Sequence, residues 1–231
     1  MNYKLISFDK IPSTQTYAQG LIAGGGGTDR IIILADAQSA GRGRYRRAWV
    51  SHHGNLYASF IYKAHRRDPR LSYAVAVAAA EALIAFGLTP QIKWPNDILI
   101  DGKKISGILI EYAKDFVIVG IGINIKTNPT VRSYQTAKVA DYAPSFTKAT
   151  EGKPKVDRDA ILAMLTSKMD LWLPRDFSAV KKRWTELAAN LNETILYHGR
   201  DAVLCGLGDD GALVLRCGKE YIMAYGDEIS I

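Results

Sequence analysis

Two hydrophobic periodicities alternate along this chain and divide it into elements. Short apolar runs bounded by turn formers, YKLISFD (3–9), IIILADA (31–37) and NLYASFIYK (55–63), predict strands, the second of them fully buried. Between the first two, PSTQTYAQGLIAGGGG (12–27) reads as a helix, with Ser13 or Thr14 as N-cap and Gly24–Gly27 as a flexible stop. PRLSYAVAVAAAEALIAFG (69–87) reads as an alanine-rich helix ended by Gly87. QIKWPNDILIDGKKISGILIEY (91–112) predicts a hairpin that turns at Asp101-Gly102 between alternating arms. Within it Pro95 cannot donate a ladder hydrogen bond, so the chain there lies at a strand edge or a bulge.

The strand DFVIVGIGINI (115–125) is the most informative. Its odd positions Val117, Val119, Ile121 and Ile123 are bulky, whereas its even positions run Ile118, Gly120, Gly122, Asn124. One face belongs in a core, and the other is cleared of side chains, which lets a ligand or another backbone approach. One helical stretch is expected from about 157 to 189. After it the pattern turns wholly strand-like, with Gly-Asp-Asp-Gly and Gly-Lys-Glu turns. The expected fold class is α+β: a mixed sheet flanked by helices over residues 1–187, then a small β-barrel over 188–231.

Composition narrows the class without choosing a function. The 231 residues are 48% hydrophobic and 23% charged, ordinary values for a globular protein. No apolar run reaches the length of a membrane span and the N-terminus lacks a signal peptide's apolar stretch, so a cytoplasmic protein is expected. Thirty Lys+Arg against 23 Asp+Glu leave a net charge of +7, which favours anionic partners: nucleotides, nucleic acid or an acidic protein. Cys205 and Cys217 have no metal-ligand spacing and read as reduced strand residues.

Candidate chemistry begins with GRGRYRRAW (41–49), which sets four arginines within six residues. An isolated basic cluster is usually a solvated surface. Here Gly41 and Gly43 free the backbone to wrap, Arg42 and Arg44 supply planar forks for carboxylate or phosphate, and Trp49 offers a stacking face. KWPNDILIDGKKISG adds Lys93, Asn96, Asp97 and Lys104 around a strand and hairpin that are otherwise apolar. A carboxylate beside two lysines suits a metal–phosphate site, and equally a surface salt bridge when any residue is taken alone.

GRGRYRRAW, KWPNDILIDGKKISGILIE and GIGIN together, in this order and spacing, resemble the biotin protein ligases over most of residues 10–125. The tail is similar to that family's small SH3-like C-terminal barrel. The resemblance implies a two-step, AMP-forming ligase. ATP and biotin give biotinoyl-5′-AMP, and a lysine of a biotin carboxyl carrier domain then takes the biotinoyl group. It implies Lys104, Arg44, Lys93 and Asp97 as the catalytic set, with Asp97 also a ligand of Mg2+. Biotin's ureido ring would meet Ser13, Thr14, Gln15 and Gln38 at one end. Gly41, Arg42, Gly43 and Arg44 would line the acid, with Gly107, Gly120 and Gly122 beneath it and Lys104 at its carboxylate. ATP would meet Arg44, Asn96 and Lys104 at its phosphates, and Trp49 and Asn124 at adenine. A mobile arginine loop would then be a lid over an anhydride that water destroys.

Two departures stand out. Arg46 occupies a position where many members have glycine, which implies a stiffer lid or an extra phosphate contact. His52 and His53 replace a common Ser-Pro; adjacent residues on an extended segment point to opposite faces and make a poor metal pair. Lipoate or octanoate transferases of the same superfamily are the first rival, but they lack the arginine loop. A DNA-binding repressor is the second, but the motifs begin by Ser13 and leave no room for a helix-turn-helix ahead of them, so no DNA partner is expected. No membrane partner is expected either, and a homodimer through the catalytic sheet is compatible with the resemblance.

Overall fold

The computed structural model describes residues 3–64, 66–132, 134–143 and 156–225. β1 (Lys4–Ile11) and β2 (Ile31–Gln38) pair in parallel across α1 (Thr14–Ala23). β3 (Leu56–Lys63), β4 (Gln91–Lys93), β5 (Asp97–Ile100), β6 (Lys103–Ala113) and β7 (Phe116–Ile123) complete a seven-stranded mixed sheet in the order β1-β2-β3-β7-β6-β5-β4. β7 is therefore central, paired antiparallel with β3 on one side and β6 on the other.

The alternation along these strands decides what each face meets. Ile31, Ile33, Ile61 and Ile118 pack against Ala18 and Ile22 of α1. Ile32, Leu34, Val117, Val119 and Ile121 point the other way, into the larger core beneath α2 (Leu71–Ile84). The run of alanines in α2 has no bulky side chains to hold it off, and residues 73–80 are all buried. The odd positions of β7 thus form the core, as its pattern predicts. Its cleared face, Gly120 and Gly122, lies on the α1 side.

Three expectations need correction. The single helical stretch is two helices, α3 (Arg158–Trp172) and α4 (Phe177–Leu187). Pro174 interrupts them, and Asp157 and Asp176 restart the backbone by accepting from Ala160 N and Ala179 N, each at 3.0 Å. The first arm of the expected hairpin is broken at the cis Trp94–Pro95 bond into two antiparallel strands, β4 and β5. Pro95 lies between them beside the sheet edge, where its missing N–H costs no ladder bond. The turn after β5 is as predicted, with Asp101 and Gly102 at φ +49° and +71°.

The tail forms a separate four-stranded antiparallel sheet of β8 (Thr194–Tyr197), β9 (Arg200–Leu207), β10 (Leu213–Cys217) and β11 (Glu220–Ala224), in the order β11-β10-β9-β8. The expected barrel is not closed among the described residues, because β8 and β11 are the two edges of this sheet. Its apolar residues Leu204, Leu213 and Leu215 join the larger core. Tyr73 Oη donates to Gly211 O at 2.7 Å and accepts from Trp94 Nε1 at 3.0 Å, which ties the small sheet to α2 and β4.

Candidate active site

A cleft of about 850 Å³ opens on the α1 side of the sheet. One end is a network of neutral polar groups. Ser13 caps α1, its Oγ accepting from Thr16 N at 3.4 Å, and so places Thr14 and Gln15 at the mouth of the helix. Gln38 Oε1 accepts from Thr14 N at 2.8 Å and Thr14 Oγ1 at 3.2 Å, while its Nε2 donates to Ser51 Oγ at 2.9 Å. Gln15 Nε2 donates to the carbonyls of Leu109 and Ile118, both at 3.3 Å. Ser59 Oγ lies 2.8 Å from Thr14 Oγ1 and 2.9 Å from Gln15 Oε1, with one proton to share between them.

The arginine loop has a ladder of its own. Trp49 N donates to Gly41 O at 2.9 Å, Arg42 bridges Ala48, and Gly43 N donates to Arg47 O at 2.8 Å. At the tip Tyr45 and Arg46 both take positive φ, +54° and +58°. That backbone suits glycine, so Arg46 carries the cost of a left-handed conformation at the tip. Arg44 and Arg47 flank the Tyr45 ring at 5.1 and 5.8 Å. At the base, a Cβ on Gly41 would stand 2.4 Å from Trp49 O, so only glycine fits beneath the ladder.

Trp49 and Lys104 occupy the middle of the cleft. Gly107 and Gly122 are cross-strand partners, and the indole of Trp49 lies against both, 2.8 and 2.6 Å from where their Cβ atoms would be. Lys104 Nζ sits 2.6 Å from Asp97 Oδ1 and over the rings of Trp49 and Tyr134, at 5.3 and 5.2 Å. Its backbone is gripped by residues 135–137: Lys104 N donates to Gln135 O and Ala137 N to Lys104 O, both at 2.9 Å. Burial, and then the nearby Asp97 carboxylate, raise the Tyr134 phenol above its ordinary value. Asn124 donates to Ala137 O at 3.0 Å, while its Oδ1 is buried with no partner.

The sequence-predicted residues therefore converge, with two qualifications. Gly41 supports the loop from below instead of facing the cleft, and Asn124 faces an adjoining recess with Trp49, Lys104 and Tyr134. The strand face expected to be empty is filled by the chain itself: Trp49 covers Gly122, and Gln15 Oε1 lies 2.7 Å from a Cβ position on Gly120. His52 and His53 are exposed loop residues outside the cleft. Sequence reasoning missed Ser51, Ser59, Glu111 and Tyr134. Ser59 is a polar residue inside a buried strand and Glu111 an acid late in β6, faint signals at best; Tyr134 sits in a segment without periodicity.

Residues 7–128 match the biotin/lipoate A/B protein ligase family. The chain belongs to that family. It is 31% identical along its whole length to the bifunctional ligase/repressor BirA of Bacillus subtilis, covering 75% of that protein. It is 30% identical over 90% of its length to the biotin–[acetyl-CoA-carboxylase] ligase of Paracoccus denitrificans, and covers 94% of that one. Among solved structures, the biotin protein ligase of Aquifex aeolicus in complex with biotin and ATP superposes with a TM-score of 0.81 at 25% identity, covering 98% of this chain and 97% of that one. For a biotin/lipoate ligase family member, the cleft sets a neutral hydrogen-bonding end against a cationic middle. Among the described residues no helix is long and apolar enough to cross a membrane.

Proposed function

We propose that the protein is an ATP-dependent biotin protein ligase, acting on a lysine of a biotin carboxyl carrier domain. The observation that carries this reading is that Lys104 lines both the cleft that ends in the amide and hydroxyl network of Thr14, Gln15 and Gln38 and the recess of Asn124. A ureido ring offers N–H donors and a carbonyl acceptor in one plane, which such a network can satisfy. An aliphatic lipoyl or octanoyl chain offers neither and would gain no hydrogen bond from that end of the cleft.

In the first step a carboxylate oxygen of biotin attacks the α-phosphorus, and the bond to the departing pyrophosphate breaks. Two unit negative charges 4 Å apart repel by about 4 kcal/mol at an effective dielectric of 20. The Lys104 ammonium between them offsets this, and Asp97 holds its place at 2.6 Å until the substrate anions arrive. Arg44, which donates to Asn96 Oδ1 at 3.3 Å, brings a second cation from the loop. Among the described residues no three acidic, His or Cys side chains converge as a metal cage. Asp97 can lend one oxygen to a Mg2+ held chiefly by phosphates, the usual arrangement for that ion, which there neutralises phosphate charge.

In the second step the neutral amine of the carrier lysine attacks the acyl carbon, the bond to the AMP phosphate oxygen breaks, and the proton lost by the nitrogen passes to the departing phosphate oxygen or to Asp97, the cleft carboxylate beside Lys104. Adenine would stack on Trp49 and donate its amino group to Asn124 Oδ1. The recess there is only about 20 Å³, room for about one water. Trp49 or Tyr134 must therefore move aside as the nucleotide enters and settle back over it, the opening and closing of a lid.

The test is mass spectrometry of products after incubation with ATP, Mg2+ and equal amounts of biotin, lipoate and octanoate. Biotinoyl-AMP alone is expected. Lipoyl- or octanoyl-AMP would overturn the choice of acid, and no adenylate would overturn the activity.

A further inference from the structure

One ion pair beside the cleft, between the arginine loop and the sheet, takes no part in the steps above. Arg42 Nη2 donates to Glu111 Oε2 at 2.8 Å across 69 residues of sequence. Glu111 stands on β6, opposite Ile118 of β7, on the same face as the cleft. Both side chains are half-buried, at 36% and 25% exposure, so the pair is only partly screened. Arg42 is also a rung of the loop's ladder, bridged to Ala48. The other edge of its guanidinium differs: Nε is buried and has no partner. A second tie between loop and sheet, Arg44 to the neutral amide of Asn96, is longer at 3.3 Å.

We propose that Glu111 is a positioning residue of the lid, acting through Arg42. Holding Nη2, it moors the base of the ladder to the sheet and presents the Nε edge to an anionic oxygen of the bound acid or its adenylate. A buried donor without a partner carries a desolvation cost that such an oxygen would remove. Without the carboxylate the ladder keeps its own hydrogen bonds but swings from its base, and the adenylate escapes before transfer. Which anion Arg42 meets rests on the biotin-activating reading; the mooring does not.

Glu111→Gln, nearly unchanged in shape, tests this in the full chain with two readouts. Limited trypsin digestion without ligand reports how often residues 44–47 open. Cleavage there should be about three- to tenfold faster, the range for losing a partly screened, charge-assisted bond. In turnover, KM for biotin and the share of biotinoyl-AMP released to solvent should rise by a similar factor, with kcat for adenylate formation kept within about twofold. On an Arg42→Ala background the same substitution should add nothing. Unchanged trypsin cleavage and KM would overturn the proposal, and so would an undiminished further loss on that background. Should Glu111→Gln fail to fold, Glu111→Asp, which keeps the charge on a shorter arm, is put through the same cycle. If the wild type makes no biotinoyl-AMP, the functional reading falls while the trypsin result still judges the mooring.

Discussion

Gly122→Ala separates the two halves of the cleft. The added methyl would stand 2.6 Å from Trp49 Cε2 and Nε1 and 2.8 Å from Cζ2. Contacts of this kind are favourable near 3.5–4.0 Å, so the indole must retreat by about 1 Å. β7 cannot give way, because β3 and β6 pair with it along its length. Trp49 can, because its loop carries it. The expected cost is that of overpacking, about 1–3 kcal/mol, borne by the loop and not the sheet. Expressed in the affinity for the ligand that stacks there, that is about 5- to 150-fold in KM for ATP. Gly120→Ala instead meets Gln15 Oε1 at 2.7 Å and Cδ at 3.2 Å, and Gln15 is buried and hydrogen-bonded to two strands. Its effect should fall on KM for biotin. Biotin-dependent ATP–pyrophosphate exchange measures both constants, and thermal unfolding checks that each midpoint moves by no more than about 4 °C. The reasoning fails if Gly122→Ala weakens biotin as much as ATP, or if neither constant changes.

Lys104→Ala removes the cation between the two anions, and the roughly 4 kcal/mol of repulsion left uncompensated corresponds to about a thousandfold loss of pyrophosphate exchange; near-normal exchange would refute the assignment. Arg46→Gly relieves about 1–2 kcal/mol of left-handed backbone and adds about 0.5–1 kcal/mol of chain entropy. Its KM values should therefore stay near wild type, whereas Arg46→Val, β-branched at the same φ, should raise KM for biotin. Acid stability follows from two carboxylates. Burial alone would raise Glu81 and Asp170, but the hydrogen bonds from Arg183 and Lys168 to Glu81, and from Arg30 and Tyr3 to Asp170, more than offset it and hold both below the ordinary value. Their folded pKa values lie below the unfolded ones, so the stability they contribute is present above about pH 4 and is lost as pH falls further. Unfolding midpoints between about pH 6 and 3 should drop steeply for the wild type and less for Glu81→Gln.

The strands were legible wherever a face had to be buried, since alternation in β7 or a continuous run in β2 leaves few other options. The split of the long helical stretch is written in Pro174, but apolar spacing continues on both sides of it and masks the break. Closure of the tail was not legible: strand pattern fixes which residues face inward, not whether the first and last strands meet. At the site, the glycines of β6 and β7 and the Lys-Trp-Pro-Asn-Asp segment announced themselves by being out of place among apolar strands, and the arginines by their density in one loop. Ser59, Glu111 and Tyr134 did not. Each acts through a partner about 30 to 69 residues away in sequence, and that information exists only once the sheet has formed.

The cleft joins a floor and a roof held by unlike means. Every rung of β7 is paired on both sides, so its amides should exchange with solvent only on global unfolding, while the ladder at 41–49 pairs chiefly with itself and can open alone. A bound ligand therefore meets a surface that is already set and orders one that is not. Changes to the floor should alter how well a ligand fits at all; changes to the roof should alter mainly how long it stays, showing in the dissociation rate and leaving the association rate nearly unchanged.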